Sequence, residues 1–192
     1  MAAKKQTSAT QVYQLKITLL GSQPPIWRRF LVPSDMNLVK LHQVIQYVMG
    51  WEDSHMHQFK VGKTYYGTTY PNDLDDLPET KDERKARVQE LASRPKAKFV
   101  YEYDFGDSWE HEIVVEKILP PEPGVKYPIC TDGKRACPPE NCGGVWGYSD
   151  FLEAIQNPDH SDQEDMREWV GGSFDPEAFN VEGVNEALKR IR

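Results

Sequence analysis

The stretch from Tyr101 to Ile113, YEYDFGDSWEHEI, decides how the middle of the chain folds. Large apolar and acidic residues alternate on both sides of Gly106-Asp107-Ser108, and alternation with a period of two predicts a β-hairpin. If the loop is Gly106 to Ser108, Tyr103 faces His111 across the strand pair. Glycine and aspartate then supply the turn chemistry.

In this register one face of the hairpin is a core face. Its predicted members are Phe99, Tyr101, Tyr103, Phe105, Trp109, His111, Ile113 and Val115. Trp109 and Phe105 close one end of that face as core residues. We interpret His111 as a buried histidine bonded to Tyr103 or to backbone. The alternative is a role as acid, base or ligand.

The opposite face is predicted to collect Glu102, Asp104, Glu110 and Glu112. Directly opposed carboxylates repel each other unless a cation lies between them. That cation is supplied by Arg28, Arg29 or Arg135, by a metal ion, or by a basic partner. A solvated strand face paired with arginines is the simplest interpretation.

The segment before the hairpin predicts a strand, a second strand, a helix and a third strand. The strands are Tyr13 to Leu19, Ile26 to Val32, and a run containing Phe59 and Val61. The helix carries apolar residues at Leu38, Leu41, Val44, Ile45 and Val48. Ser34 or Asp35 is its expected cap, and Gly50 its expected end. This order is that of a β-grasp unit.

The rest of the chain predicts loops and short helices. Residues 71–97 form an acidic loop and a surface helix from Glu79 to Ser93, and residues 120–147 form a loop rich in cysteine, proline and glycine without regular structure. Expected helix starts are Ser149, Ser161 with Glu164, Asp175-Pro176 and Val184. We therefore expect an α+β fold, with short C-terminal helices on a mixed or antiparallel sheet. Residues 1–12 form a disordered tail, and 13–192 a single domain.

Charge and hydropathy narrow the function classes. The chain has 192 residues, a net charge of -7 and a pI near 5.3, which argues against broad capture of nucleic acid or anionic membrane. The net charge does not exclude a local basic patch. No apolar run approaches a membrane span, and the N-terminus lacks the apolar core of a secretion signal. We expect a cytoplasmic protein.

Three cysteines, Cys130, Cys137 and Cys142, lie in ICTDGKRACPPENCGG. Zinc sites usually pair cysteines two to four residues apart, so only Cys137 and Cys142 approach that spacing, and His111 or His160 would complete the site. Arg135 could favour a reactive Cys137 thiolate. The simplest interpretation is small packing residues, with no cofactor predicted and zinc as the alternative.

Two further histidines, His55 and His57, point to the same side of an extended chain. They form a weak candidate for metal chelation. Exposed imidazoles at the entry to a strand are the favoured interpretation.

Three segments taken together resemble a known family: IWRRFLVPSDMNLVKLHQVIQYVMGWEDSHMHQF, YDFGDSWEHEIVVEKI, and CTDGKRACPPENCGG leading to GYSDFLEAI and EWVGGSFDPEAFN. They resemble the plasmid pRiA4b Orf three-like family, also met as a passenger protein of an insertion element and labelled TnpR-like. The resemblance implies an association with mobile elements but no established activity and no assigned catalytic residues. Many relatives lack the equivalent of Cys142, so a three-cysteine metal site is not implied for the family.

The TnpR-like label implies a resolvase, which the residues do not support. A serine recombinase needs a nucleophilic serine among arginines and a basic DNA-binding segment, and this acidic chain offers neither clearly.

Three functions remain. The favoured one is a non-catalytic interaction module that docks an unknown macromolecular partner through the hairpin end and the Cys130 to Gly144 loop. The second is an enzyme with a composite site, in which His111 is acid or base, Asp104 or Asp107 orients it, Arg28 or Arg135 binds an anion, and Cys137 is the nucleophile. The third is a DNA-associated accessory factor. Arg29 and Trp109 complete the candidate binding residues.

Overall fold

The computed structural model describes residues 10–68 and 80–191. Residues 1–9 of the predicted tail and residues 69–79 of the acidic loop lie outside the described residues, whereas Val12, the last residue of the predicted tail, begins the first strand. The strands are β1 Val12–Leu19, β2 Trp27–Pro33, β3 His57–Val61, β4 Thr64–Gly67, β5 Thr80–Asp82, β6 Lys98–Tyr103, β7 Trp109–Leu119 and β8 Ile129–Lys134. The helices are α1 Leu38–Met49, α2 Val88–Leu91, α3 Gly144–Gln156, α4 Gln163–Trp169 and α5 Val181–Leu188.

The strands form one eight-stranded sheet in the order β5-β4-β3-β6-β7-β1-β2-β8. The β4-β5 pair is parallel and the other pairs are antiparallel. The predicted α+β class is therefore confirmed. The hairpin, helix and strand of the N-terminal half follow in the predicted order, and β3 pairs with β4 and β6. This arrangement places the β6-β7 hairpin in the middle of the sheet.

Period-two alternation gives the sheet one buried face. That face shares a single hydrophobic core with the helices, and its largest side chains include Phe30, Phe59, Tyr101, Tyr103 and Trp109. The predicted apolar positions of α1 are all buried.

The cap of α1 differs from the prediction. Asn37, and neither Ser34 nor Asp35, accepts a hydrogen bond from the Lys40 amide at 2.9 Å. Gly50 ends the helix with a φ of 105°, as expected, because glycine adopts the left-handed region without steric cost.

The predicted register of the central hairpin is wrong by two residues. Tyr101 lies opposite His111 and Tyr103 opposite Trp109, so residues 104–108 form the loop. A slip of two keeps every strand residue on its predicted face, since side chains alternate with a period of two. Phe105 leaves the core and is 45 % exposed. In this loop Asp104 and Ser108 adopt left-handed φ values, whereas Gly106 does not.

Asp104 replaces Asp107 as the residue that organises the turn. Its Oδ1 accepts hydrogen bonds from the amides of Gly106 at 2.9 Å and Asp107 at 3.4 Å. Asp104 therefore belongs to the loop and not to the acidic strand face.

The loop predicted over residues 120–147 contains a strand, β8, at the edge of the sheet. The side chain of Asn185 in α5 accepts a hydrogen bond from the Cys130 amide at 2.9 Å and donates to the Cys130 carbonyl at 2.8 Å. The Asn185 side chain thus makes the pair of backbone hydrogen bonds that a neighbouring strand would make. Long-range pairing of this kind leaves no local sequence pattern.

Several helix boundaries also differ from the predictions. The α3 helix begins at Gly144 and not after Ser149, α5 begins at Val181, and the Asp175-Pro176 segment makes only one turn. The α4 helix has no side-chain capping bond from its N-cap residue, Asp162. In place of a helix from Glu79 to Ser93 the structure has β5 and the one-turn α2.

Candidate functional site

His111 is sealed in the core, with no exposed surface. Neither ring nitrogen makes a well-aligned hydrogen bond with a described residue, although the backbones of Tyr101 and Trp109 approach the ring. Burial lowers the pKa of His111 to about 4, and the backbone groups of Tyr101 and Trp109 only partly oppose that shift. The side chain is therefore a neutral imidazole packed among aromatic rings. It lies edge-on to Trp51, with the two ring centroids 6.4 Å apart.

Arg28 lies on the core face of β2 and is 1 % exposed. Its guanidinium donates to the carbonyls of Val48 at 2.7 Å, Lys134 at 2.7 Å and Trp27 at 2.9 Å, and packs on the Phe179 ring at 3.9 Å. Burial lowers the pKa of Arg28. Val48 lies in the last turn of α1, where the helix dipole is negative and favours a cation. Arg28 joins three elements of the fold.

The other two candidate arginines, Arg29 and Arg135, form ion pairs away from the end of the hairpin. Arg29 bonds Glu116 at 2.6 Å and Asp132 at 3.0 Å, and Arg135 bonds Glu177 at 2.8 Å. On the open face of the hairpin, Lys98 neutralises Glu112 at 2.9 Å.

Glu102 and Glu110 lie directly opposite each other, and no described cation forms an ion pair with either of them. The side chains of Gln58 and Ser108 donate to Glu102. Neutral donors leave the repulsion within this acidic pair in place, because they bring no positive charge.

The three cysteines are free thiols. Burial raises the pKa of Cys130 to about 11, that of Cys142 to about 12, and that of Cys137 well above its usual value. All three are therefore protonated at neutral pH. Within residues 10–68 and 80–191, no group of three or more histidine, cysteine, aspartate or glutamate side chains could hold a metal ion.

The end of the central hairpin contacts the loop of residues 137–144. Asp107 Oδ2 accepts a hydrogen bond from the Gly143 amide at 3.1 Å. The Tyr103 hydroxyl donates to Glu140 Oε1 at 3.0 Å. Gly144 approaches so closely that an added Cβ would lie 2.5 Å from the Asp107 carbonyl oxygen. Two segments that the sequence singled out separately thus form one surface.

His55, Asp104 and Glu140 form a cluster at this junction; the sequence had suggested His55 and Asp104 separately as candidates, but neither their meeting nor Glu140. His55 Nε2 lies 3.5 Å from Asp104 Oδ2 and 3.6 Å from Glu140 Oε2. His55 Nε2 and Glu140 Oε2 are buried atoms without a hydrogen-bond partner among the described residues. The three residues come from separate segments, so no local motif could have shown that they meet.

Two stacked histidines, His42 and His57, lie beside this cluster. The rings of His42 and His57 stack at 3.5 Å. His42 bonds Asp53 at 2.7 Å and the Tyr101 hydroxyl at 2.8 Å, and His57 bonds Glu83 at 2.8 Å. Burial, and then the charge of His57, lower the pKa of His42. His57 is 11 % exposed, which corrects the expectation of an exposed imidazole. The pair ties α1 to the sheet.

Exposed large apolar side chains gather around the same end of the sheet. We define the sheet-end surface by Leu20, Met56, Phe105 and Trp146, which are 40 %, 59 %, 45 % and 85 % exposed. Backbone hydrogen bonds join two of these segments to the hairpin: the Met56 carbonyl accepts from the Asp104 amide, and the Glu110 carbonyl accepts from the Leu20 amide. A cleft of about 520 Å³ contains Leu20, Ser108, Glu110 and Trp146 in its lining.

Comparisons with known proteins match nearly the whole chain. The family described as plasmid pRiA4b ORF-3-like protein matches residues 11–183. An uncharacterised protein, y4hQ of Sinorhizobium fredii (strain NBRC 101917 / NGR234), is 37% identical over 179 residues, which cover 92% of this chain and 90% of that protein. The crystal structure of MM3350 from Methanosarcina mazei Go1, a protein of unknown function, superposes with a TM-score of 0.81 at 39% identity. That match covers 91% of this chain and 98% of the other.

The descriptions of these relatives assign no activity, so the function has to be argued from the site. Among the described helices, none is long and apolar enough to cross a membrane.

Proposed function

The chain belongs to the plasmid pRiA4b ORF-3-like family, and we propose that it is a non-catalytic interaction module that docks a partner protein on its sheet-end surface. The observation that carries the proposal is the exposure of Met56, Phe105 and Trp146, whose segments meet at one end of the sheet. Contiguous exposed apolar side chains are typical of interaction sites, and aromatic residues supply most hot spots.

Charge defines the chemistry of the partner. The carboxylates of Glu102 and Glu110, which no described cation pairs, lie beside the sheet-end surface, and Glu110 lines its cleft. A lysine or arginine placed between two opposed carboxylates relieves their repulsion. The partner is therefore a protein segment that combines basic and apolar side chains. This acidity supports a protein partner over DNA.

Binding is better supported than the composite enzyme. His111 is sealed in the core, and Arg135 pairs with Glu177. The Cys137 thiol is protonated, so it lacks the thiolate that nucleophilic attack requires. Each of these groups has a structural role where it lies. The three free thiols also support a reducing, cytoplasmic location.

Site-specific photo-crosslinking in cells tests the proposal even though the partner is unidentified. A photoreactive residue is placed at Phe105 or at Trp146, and the adducts are resolved by mass. We expect both positions to give an adduct with the same protein, since both side chains belong to one surface. The adduct should weaken at least about tenfold in a Glu102→Lys, Glu110→Lys background, because like charges then repel the basic segment.

Trp169 provides the matched control, since it is also exposed, at 47 %, but lies in α4 beside a different cleft. A photoreactive residue at position 169 should give no such adduct. Equal adducts at 105, 146 and 169, or none at 105 and 146, would reject the docking surface.

A further inference from the structure

We infer that the stacked imidazoles of His42 and His57 form a pH-sensitive switch: the stack holds one added proton, on His57, and a second proton opens it and loosens strand β5. The inference goes beyond the docking function and does not depend on it. It rests on the geometry of the two rings and on the polar groups that bond them.

The hydrogen bonds of His42 fit a neutral ring. The buried Tyr101 hydroxyl accepts a hydrogen bond from the Gln46 side chain at 2.9 Å, so its own proton can be donated to His42 Nδ1, which lies 2.8 Å away. His42 Nε2 then carries the proton of the neutral ring and donates to Asp53 Oδ1 at 2.7 Å. A proton added at Nδ1 would remove the acceptor of the Tyr101 hydroxyl, which is costly in the core.

The surroundings of His57 favour a charged ring. His57 Nε2 lies 2.8 Å from Glu83 Oε2, and the Glu83 side chain is 6 % exposed, whereas Asp53, the carboxylate of the other ring, is 56 % exposed. A buried carboxylate needs a cation more than an exposed one, because solvent does not screen its charge. Arg84, the residue after Glu83, is exposed and pairs with Asp82. Within the described part of the chain, only His57 forms an ion pair with Glu83.

Repulsion between the rings opposes a second proton. The ring centroids lie 3.5 Å apart and the ring planes are within 4° of parallel, so two imidazolium ions would face each other directly. Burial, and then the charge of His57, lower the pKa of His42, while Asp53 and Glu83 oppose that change. Tyr101 adds no charge, because burial raises its pKa well above the usual value.

The stack joins elements that a second proton would separate. His42 lies in α1, His57 begins β3, and Glu83 follows β5 directly. Strand β5 has three residues, lies at the edge of the sheet and pairs with β4. Next to this pairing, the Glu83 amide donates to the Gly67 carbonyl at 3.3 Å, and the Glu83 carboxylate bonds His57. When repelling rings move apart, the bond between His57 and Glu83 is lost, so β5 loses its side-chain anchor.

Nitrogen-15 NMR of the imidazole rings in the purified full-length chain tests the order of protonation. As the pH falls, His57 should take up a proton before His42, and until then His42 should keep its proton on Nε2. His57→Gln removes the neighbouring charge, so His42 should become protonated at a pH that is higher by at least about half a unit. His160→Gln is the matched control, since His160 lies in the cleft beside α4 and should leave His42 unchanged.

Hydrogen exchange, corrected for the intrinsic effect of pH, tests the loosening of β5. Between about pH 7.5 and about pH 4.5, protection of the β5 amides should fall at least about fivefold more than that of the β1 amides. His42→Phe keeps a ring against His57 but cannot take the second proton, so in this variant β5 should fall no more than β1.

If His42→Phe fails to fold, the titration of His42 in His57→Gln still decides the coupling. The inference fails if His42 takes up its proton before His57, or if His57→Gln leaves the protonation of His42 unchanged. It also fails if β5 keeps its protection relative to β1 at acidic pH, because the second proton then opens nothing.

Discussion

The strands and the loop of the β6-β7 hairpin place their ionisable side chains in opposite environments. In the middle, His111 is fully buried and edge-on to Trp51. At the loop, Asp104 is anchored through one oxygen and presents the other to His55. The same short stretch therefore contains a buried neutral imidazole and a carboxylate that lies in a polar cluster with His55 and Glu140.

The difference teaches that the density of ionisable groups does not locate a site. His111 stands out by its chemistry, yet burial keeps it neutral at physiological pH. His55 was only a weak candidate in the sequence, and its contacts with Asp104 and Glu140 exist only in the folded chain. The two regions differ in the polar partners of their histidines and in the access of solvent to them, and both properties depend on tertiary structure.

The largest expected effect lies in the sealed region. Arg28→Met should lower the free energy of unfolding by about 3 to 4 kcal/mol, because several carbonyls lose the guanidinium donor that reaches them. Denaturant unfolding measures it. Arg29→Met, on the next residue but on the open face, should cost less than about 1 kcal/mol. Equal costs would contradict the buried role of Arg28.

The second effect is a dependence of stability on pH. The pKa of His111 in the folded state, about 4, lies below its unfolded value of about 6.5, so the unfolded chain binds more protons between these values. Stability should therefore fall by about 3 kcal/mol as the pH drops from about 6.5 to 4. His42, whose pKa is also lowered, adds a loss in the same direction.

His111→Phe removes the titrating group and should flatten this acid-side slope in denaturant unfolding. Since the ring makes no well-aligned hydrogen bond to a described residue, stability of the variant at neutral pH should stay close to that of the wild type. His160→Gln should keep the full slope. A slope unchanged in His111→Phe would show that other groups cause it.

A smaller effect probes the junction between the two loops. Gly144→Ala should lower the free energy of unfolding by about 2 kcal/mol, since its Cβ would meet the Asp107 carbonyl and its φ is 69°. Gly143→Ala shares the left-handed backbone, with a φ of 89°, but its Cβ finds only an ordinary contact. It should cost about 1 kcal/mol. The difference between the two variants, measured by thermal unfolding, isolates the close approach, and equal costs would refute it.

The smallest effect on stability is expected at the sheet-end surface. Trp146→Ala should change the free energy of unfolding by less than about 0.5 kcal/mol, because the side chain is 85 % exposed. The same substitution at the buried Trp109, made as the comparison, should cost about 3 kcal/mol. A large cost at Trp146 would mean that this residue packs in the fold and is not free for a partner.

Local patterns predicted much of the sheet. Alternation in β1, β6 and β7 identified their core faces, and helical spacing with Gly50 identified α1 and its end. The hairpin register was wrong, but a slip of two residues preserves both faces. The fold class could thus be predicted from periodicity despite an error in the turn.

The site could not be predicted in the same way. Arg28 and Arg29 are adjacent and chemically identical, and only the pairing of β2 with β1 and β8 sends one into the core and the other to Glu116. Strand β8 could not be predicted because Asn185 completes its edge from a distant helix. Glu140 acquires a role only by its contact with Tyr103.

The sequence by itself determined the α+β class, the core faces of the central hairpin and the acidic character of the open face, because these follow from periodicity and composition within short windows. Only the tertiary structure decided which ionisable groups are sealed and which keep unpaired atoms. Burial and hydrogen bonding depend on residues far apart in the chain, and those contacts separate His111 from His55.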